Sequence, residues 1–130
     1  MILVDTSAWI EFFRGRDPFA GAVDDTLATG EAALCGPIET ELRLGLKDER
    51  ERAKVLPLLE ACRYLPQPAE LWVEAGDLGF ILRRRGITPK SFDLLIVVYA
   101  LSHSAALLTA DKDFAAMHKA GIPLQLVAVP

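Results

Sequence analysis

Ile2-Leu3-Val4-Asp5-Thr6-Ser7 decides how this chain is read. Three apolar residues run straight into a carboxylate, and two hydroxyl residues follow. A short apolar run bounded by polar residues predicts a strand covered on both faces. Thr6 and Ser7 predict the cap of a helix over about Ala8–Arg14, closed by Gly15. The same grammar recurs near the other end, where Ala106–Thr109 reads as a buried strand leading to Asp111.

Between and beyond these stretches, strand and helix patterns alternate. Ala32–Cys35 and Gln125–Val129 read as strands. Helices are expected over Phe19–Thr29, from Pro37 to about Leu46, over Glu49–Tyr64, Pro68–Arg85, Ser91–His103 and Lys112–Ala120. Pro57 should kink or split the third of these. Gly86 and Gly121 should stop the helices they follow. Such alternation predicts an α/β domain with a parallel sheet. In such sheets function gathers where the carboxyl ends of the strands emerge.

The chain has 130 residues and a net charge of −4, with a pI near 5.1. That is the size of a single domain, 1–130, with no linker, repeat or low-complexity tract. With glycine counted in place of tyrosine, its apolar share is about 57%, above the usual ~45–50%. The excess fits a sheet covered on both faces. The acidic balance argues against a broad grip on phosphates. It leaves open an acid cluster that meets phosphate through a divalent cation. Cys35 and Cys62 are far apart and in no metal spacing, so free thiols and a cytoplasmic location are expected. Asp5 breaks any leader-like apolar run, and Leu94–Leu101 is far short of the ~20 residues that span a bilayer.

Four acids can converge on the functional edge. Asp5 follows the first strand, Asp111 follows the Ala106–Thr109 strand, Asp93 opens an apolar helix, and Glu41 lies mid-helix after the second strand. Each alone has an ordinary explanation as a helix cap, a turn residue or a solvated charge. Together they are harder to dismiss, because carboxylates beside apolar stretches are costly unless paired or metal-bound. A ring of carboxylates offers hard oxygens, suited to Mg²⁺ or Mn²⁺ rather than zinc. Thr109 sits two residues before Asp111, on the same face if the strand continues. Gly45, four residues after Glu41, leaves room beside it. Glu39 points elsewhere.

The segments Ile2–Ser7, Glu41-Leu42-Arg43-Leu44-Gly45, Asp93-Leu94-Leu95-Ile96 and Leu108–Phe114, in this order and spacing, resemble the PIN-domain family and its compact VapC-type toxins. The resemblance implies a three-layer fold with a central parallel sheet of four to five strands flanked by helices. It implies a metal-dependent endoribonuclease, the toxin of a toxin–antitoxin pair, hydrolysing RNA phosphodiesters. Asp5, Glu41, Asp93 and Asp111 map onto its acidic quartet as catalytic residues and metal ligands. Ser7 and Thr109 match supporting hydroxyls, and Asp113 an accessory acid. Mg²⁺, with Mn²⁺ as substitute, is the implied cofactor. RNA, a small antitoxin and a second copy in a homodimer are the implied partners. A tRNA or rRNA loop suits the target, since unpaired bases are the readable ones.

Other features carry less. Arg83, Arg84 and Arg85 end a helix, where they either suit the helix dipole or contact RNA phosphate. Arg43 and Lys47 could join either role. His103 and His118 form no zinc motif. Gly76 and Gly79 point to close helix packing. Trp9, Phe12 and Phe13 have the spacing of a core stripe or a partner groove. A phospho-acceptor receiver domain would need adjacent acids after the first strand and a late lysine. Here Thr6 follows Asp5, and no lysine lies in Val127–Pro130. A PIN-type nuclease of RNA processing differs from a toxin in its gene neighbourhood, not in these residues.

Overall fold

The computed structural model describes residues 1–130. In chain order its elements are β1 (Ile2–Val4), α1 (Thr6–Phe13), α2 (Phe19–Ala28), β2 (Ala32–Leu34), α3 (Gly36–Leu44) and α4 (Glu49–Glu60). There follow β3 (Arg63–Tyr64), α5 (Leu71–Arg84), α6 (Ser91–Ser102), β4 (Ala106–Leu108) and α7 (Lys112–Lys119). The sheet is parallel throughout, in the order β3-β2-β1-β4.

The chain leaves β1 for β2 and β3 on one side, then returns to place β4 on the other. Strand order therefore reverses between β1 and β4, and a crevice opens at their carboxyl ends. The register sets Val4 beside Leu108. Asp5 and Thr109 consequently leave the sheet side by side, and the Asp5 N–H donates to the Leu108 carbonyl at 2.9 Å. Leu3, Val4, Leu107 and Leu108 are fully buried, as is Trp9 beneath α1. Short strands with no exposed face explain why β1 and β4 read as unbroken apolar runs.

Three expectations change. The helix expected over Glu49–Tyr64 ends at Glu60, and Arg63–Tyr64 forms the edge strand β3. Both β3 residues are exposed, so no burial pattern announces it. Pro57 does not split α4, which runs unbroken through it. It lies in the last turn, and its missing N–H leaves the Ala53 carbonyl without the usual helical donor. Gln125–Val129 is no strand, only a parallel bridge of Leu126 to Leu107, held by Leu107 N–H to Gln125 O and Val127 N–H to Leu107 O. The sheet thus has four strands, at the lower end of the expected range.

Gly86, at φ +84°, ends the turn after α5, a conformation that glycine adopts without strain. Gly79 on α5 is buried, and a Cβ there would come within 3.0 Å of Leu94 Cδ1 on α6. Close α5–α6 packing at Gly79 is thereby confirmed. Gly76 has nothing near it, so that explanation fails for Gly76. Gly79→Val should pry α5 from α6 and destabilise the chain by roughly 1–3 kcal/mol. Urea denaturation measures this, and a wild-type midpoint would contradict so close an approach.

Candidate metal centre

Asp5 is 4% exposed, and its carboxylate is solvated by the protein. Ser7 Oγ and Thr109 Oγ1 both donate to Asp5 Oδ2, at 2.7 and 2.8 Å. Each hydroxyl has one proton, so both are committed to Asp5. The 3.1 Å approach of Ser7 Oγ to Thr109 Oγ1 is then a contact between acceptors. The oxygens in turn accept the backbone N–H of Ala110 at 2.9 Å and of Asp111 at 3.0 Å. Two main-chain donors are thus relayed onto one carboxylate, and α1 is tied to the loop after β4.

The expected hydroxyl cap of α1 is not formed. Asp5 is the N-cap residue and makes no side-chain cap. Ser7 turns to Asp5, and Thr6 Oγ1 donates to Glu41 Oε1 at 2.9 Å. The role of Thr6 escaped the sequence reading. Its only signal was a second hydroxyl beside Asp5, read as a cap.

Asp93, Asp111 and Asp113 form one group, with a carboxylate oxygen from each lying within 4.8 Å of the others. Asp113, an accessory residue by resemblance, therefore stands with two of the quartet. Asp5 and Glu41 lie outside this compact trio. Asp5 is linked to it by hydrogen bonds through Thr109 to the Asp111 N–H, while Glu41 accepts from Thr6, the residue after Asp5. Asp111 also caps α7, accepting from the Asp113 N–H at 2.9 Å. The ordinary cap role and the cluster role coexist in that residue.

Asp93 is 8% exposed. Its Oδ2 is buried without a hydrogen-bond partner. Burial, the nearby charges of Asp111 and Asp5, and to a smaller degree Asp113, push its pKa up to about 6, against the partial relief of Lys90. A buried, unpartnered carboxylate oxygen beside two further acids fits a divalent cation. Hard oxygens are the donors that Mg²⁺ and Mn²⁺ take.

Other candidates disperse. Arg85 Nη1 donates to the Ala120 carbonyl at 2.6 Å, and the Arg84 guanidinium lies 5.7 Å from the Phe80 ring centroid. Arg84 and Arg85 therefore have different neighbours within the chain. Arg43 pairs with Glu39 at 3.9 Å, which agrees with Glu39 pointing away from the acids. His103 and His118 meet the carbonyls of Pro66 and Leu124, a structural role. Cys35 and Cys62 are free, and burial pushes the Cys35 thiol up to about 12. Trp9 is core. Phe13 is 40% exposed and lines a groove of about 370 Å³ with Ile10, Leu42, Gly45 and Leu46, bordered by Thr6 and Glu41. No helix is long and apolar enough to cross a membrane.

The Asp93 pKa gives a sign. Its folded value, about 6, exceeds the ordinary 3.8. Between those values the folded chain holds a proton that the unfolded chain has lost. In EDTA the Asp93 contribution is therefore present below pH ~4 and is lost as pH rises through about 6, on the order of 2 kcal/mol in all. Asp93→Asn should remove that loss and melt higher than wild type at pH 8 in EDTA. Thermal melts of both proteins from pH 4 to 8 check it. A variant melting lower at pH 8 would show that Asp93 is not crowded by like charge.

Known proteins resemble the chain in sequence and in fold. The PIN domain profile matches residues 2–120. Ribonuclease VapC11 of Mycobacterium tuberculosis is 33% identical over 119 residues, covering 88% of this chain and 89% of that protein. VapC ribonuclease Mb1587 of Mycobacterium bovis matches equally. In fold, the chain is similar to VapBC2 from Rickettsia felis, solved bound to a promoter DNA fragment, with a TM-score of 0.78 at 22% identity and full coverage of both chains. DNA-bound VapBC from Salmonella typhimurium gives a TM-score of 0.76 at 17% identity, covering 97% of this chain and 96% of that one. The profile over nearly the whole chain and the identity to VapC ribonucleases show that this chain belongs to the PIN-domain family, in its VapC branch.

Proposed function

We propose that this chain is an Mg²⁺- or Mn²⁺-dependent endoribonuclease and the toxin of a VapBC-type pair. The observation that carries the reading is the Asp93–Asp111–Asp113 group with the unpartnered Asp93 oxygen, beside an Asp5 held by two hydroxyls. Asp93, Asp111 and Asp113 would hold the cation, with Asp5 and Glu41 beside them. A bound divalent ion lowers the pKa of water and stabilises charge developing on phosphate. The residues supply the rest. Ser7 and Thr109 hold Asp5 Oδ2 by two donated hydrogen bonds. Asp93 sheds its proton near pH 6 and is an anion at neutral pH. Thr6 orients Glu41.

Purified protein should cleave RNA with Mg²⁺ or Mn²⁺ and stop in EDTA. Asp5→Asn, Asp93→Asn and Asp111→Asn should each lower cleavage by about 100-fold or more, and Thr109→Val by roughly 10–100-fold, as for residues that orient ligands. Gel-based cleavage assays decide it, and undiminished cleavage in EDTA would sink the reading. Mapping the 5′ ends of cleaved RNA, with Asp5→Asn as control, identifies the target.

The partner is a small antitoxin, as the relatives' VapBC complexes suggest. The groove beside Glu41 suits its peptide, because Ile10, Phe13, Leu42 and Leu46 offer an apolar floor edged by Glu41 and Glu51 as well as by Arg14 and Lys47. A basic side chain on that peptide would meet the carboxylates by charge-assisted hydrogen bonds. Phe13→Asp should weaken the complex with the product of the neighbouring small gene by about tenfold or more. Titration calorimetry measures it, and unchanged affinity would remove the groove from the interface.

A further inference from the structure

Two tyrosine hydroxyls meet over the start of α3. Gly36 opens that helix, and a Cβ on it would lie 3.5 Å from Tyr64 Oη and 3.6 Å from Tyr99 Oη. The missing side chain leaves a hollow there, walled by the two phenols. Tyr99 is 4% exposed, yet no hydrogen bond within the chain uses its hydroxyl. The ring is packed away while its hydroxyl tip stays open to solvent. A tyrosine so buried ordinarily finds a partner for that group.

Tyr64 has the opposite disposition. It stands on the edge strand β3, beside Leu34 in register, and is 55% exposed. No aromatic ring of the chain stacks on it, and its hydroxyl also makes no hydrogen bond within the chain. Both phenols keep their protons at neutral pH. Burial raises Tyr64, with the charge of Glu39 adding to it, and burial raises Tyr99 likewise. The hollow thus offers two hydrogen-bond donors and one open aromatic face.

Its place in the fold ties it to the acids. Gly36 leaves the carboxyl end of β2, on the sheet edge where Asp5 leaves β1. Cys35 lies between them: burial governs its thiol, and the charges of Asp5 and Glu41 act on it too. Tyr99 shares α6 with Asp93, six residues on, which is about 9 Å along the helix. A stacked strand advances ~3.4 Å per nucleotide, so a few nucleotides bridge that distance.

We infer that Tyr64, Tyr99 and Gly36 form a nucleoside subsite for single-stranded RNA, a few nucleotides from the acid group. The Tyr64 ring stacks an unpaired base, and the two hydroxyls bind that nucleoside's polar edge over Gly36. Stacking on aromatic side chains is how unpaired bases are held without regard to sequence. It needs no basic surface, which suits an acidic chain. The inference rests on the nuclease reading for its ligand, but binding tests it apart from cleavage.

The experiment uses the Asp111→Asn background, which leaves RNA intact, with fluorescence anisotropy of a short oligoadenylate RNA and of the matching abasic strand. Tyr64→Ala should weaken oligoadenylate binding about tenfold and leave the abasic strand within roughly twofold. Tyr64→Phe keeps the ring and should retain most of the affinity. Tyr99→Phe and Gly36→Ala should each cost about threefold or more, the first by losing a donor and the second by filling the hollow. The Tyr64 ring is exposed, so thermal melts of its variants should match the parent. With Asp111 restored, Tyr64→Ala should raise KM and leave kcat nearly unchanged. Equal weakening of both strands by Tyr64→Ala, an effect as large for Tyr64→Phe, or no binding of either strand would overturn the subsite. Cleavage with a KM indifferent to Tyr64→Ala would do the same. Binding as described without any cleavage would uphold the subsite and end the nuclease reading.

Discussion

A carboxylate at the end of a buried strand has to be solvated by the protein, and at Asp5 that requirement orders much of the chain around it. Ser7 and Thr109 give it their protons, and their oxygens collect the N–H groups of Ala110 and Asp111. Ser7 can serve only if α1 begins directly after Asp5. Thr109 can serve only if β4 lies beside β1 in the observed register. The sheet order, with its reversal between β1 and β4, supplies that neighbour. Removing either hydroxyl leaves a buried backbone donor and a carboxylate oxygen both short of a partner, a loss that costs more than one hydrogen bond is worth.

What gathers beyond Asp5 opposes folding in the metal-free chain. Asp93, Asp111 and Asp113 crowd together, and unit charges ~5 Å apart at an effective dielectric of ~20 repel by roughly 3 kcal/mol. No arginine or lysine forms a salt bridge with any of the three. Lys90 acts on Asp93 only as a nearby charge, and its effect is smaller than that of burial, of Asp111 or of Asp5. Part of the repulsion is relieved by proton uptake on Asp93 and part by the helix N-termini at which Asp93 and Asp111 sit. A divalent cation would relieve the rest. The site is therefore a place where stability is given up for binding, which is the usual exception to agreement between local sequence preference and fold.

The sequence was most informative where burial dictated it. β1 and β4 are apolar because both faces are covered, so their limits could be read within a residue, and with them the aspartates that follow. Helix stops at Gly86 and Gly121 were equally legible because only a positive φ fits there. β3 was not legible, because an exposed two-residue edge strand is chosen by main-chain pairing with β2 rather than by its side chains. The C-terminal segment had a strand-like composition but bridges β4 at a single residue. In the site, the acids could be named, but which of them touch could not. Asp113 is in the compact group and Glu41 is not, a distinction set by α7 and α3 packing rather than by spacing. Thr6 and Ser7 were ambiguous because one hydroxyl can cap a helix or hold a carboxylate, and only the three-dimensional neighbours decide.

The chain's charge bears on how such a site would meet RNA. At −4 overall, its long-range field repels a polyanion, so attraction has to be short-ranged and local. Arg85 Nη1 donates to the Ala120 carbonyl at the end of α7, and the Arg84 guanidinium lies over the Phe80 ring. On the proposed reading, the cation itself is the principal phosphate receptor, and the acids that repel RNA without it are what concentrate it. The same acids attract a basic peptide. Metal and a cationic partner residue would then compete for one set of carboxylates, and each would relieve the same repulsion. Inhibition by such a partner needs no distortion of the fold: occupying the charge with a guanidinium removes the cation's place and, with it, the chain's hold on phosphate.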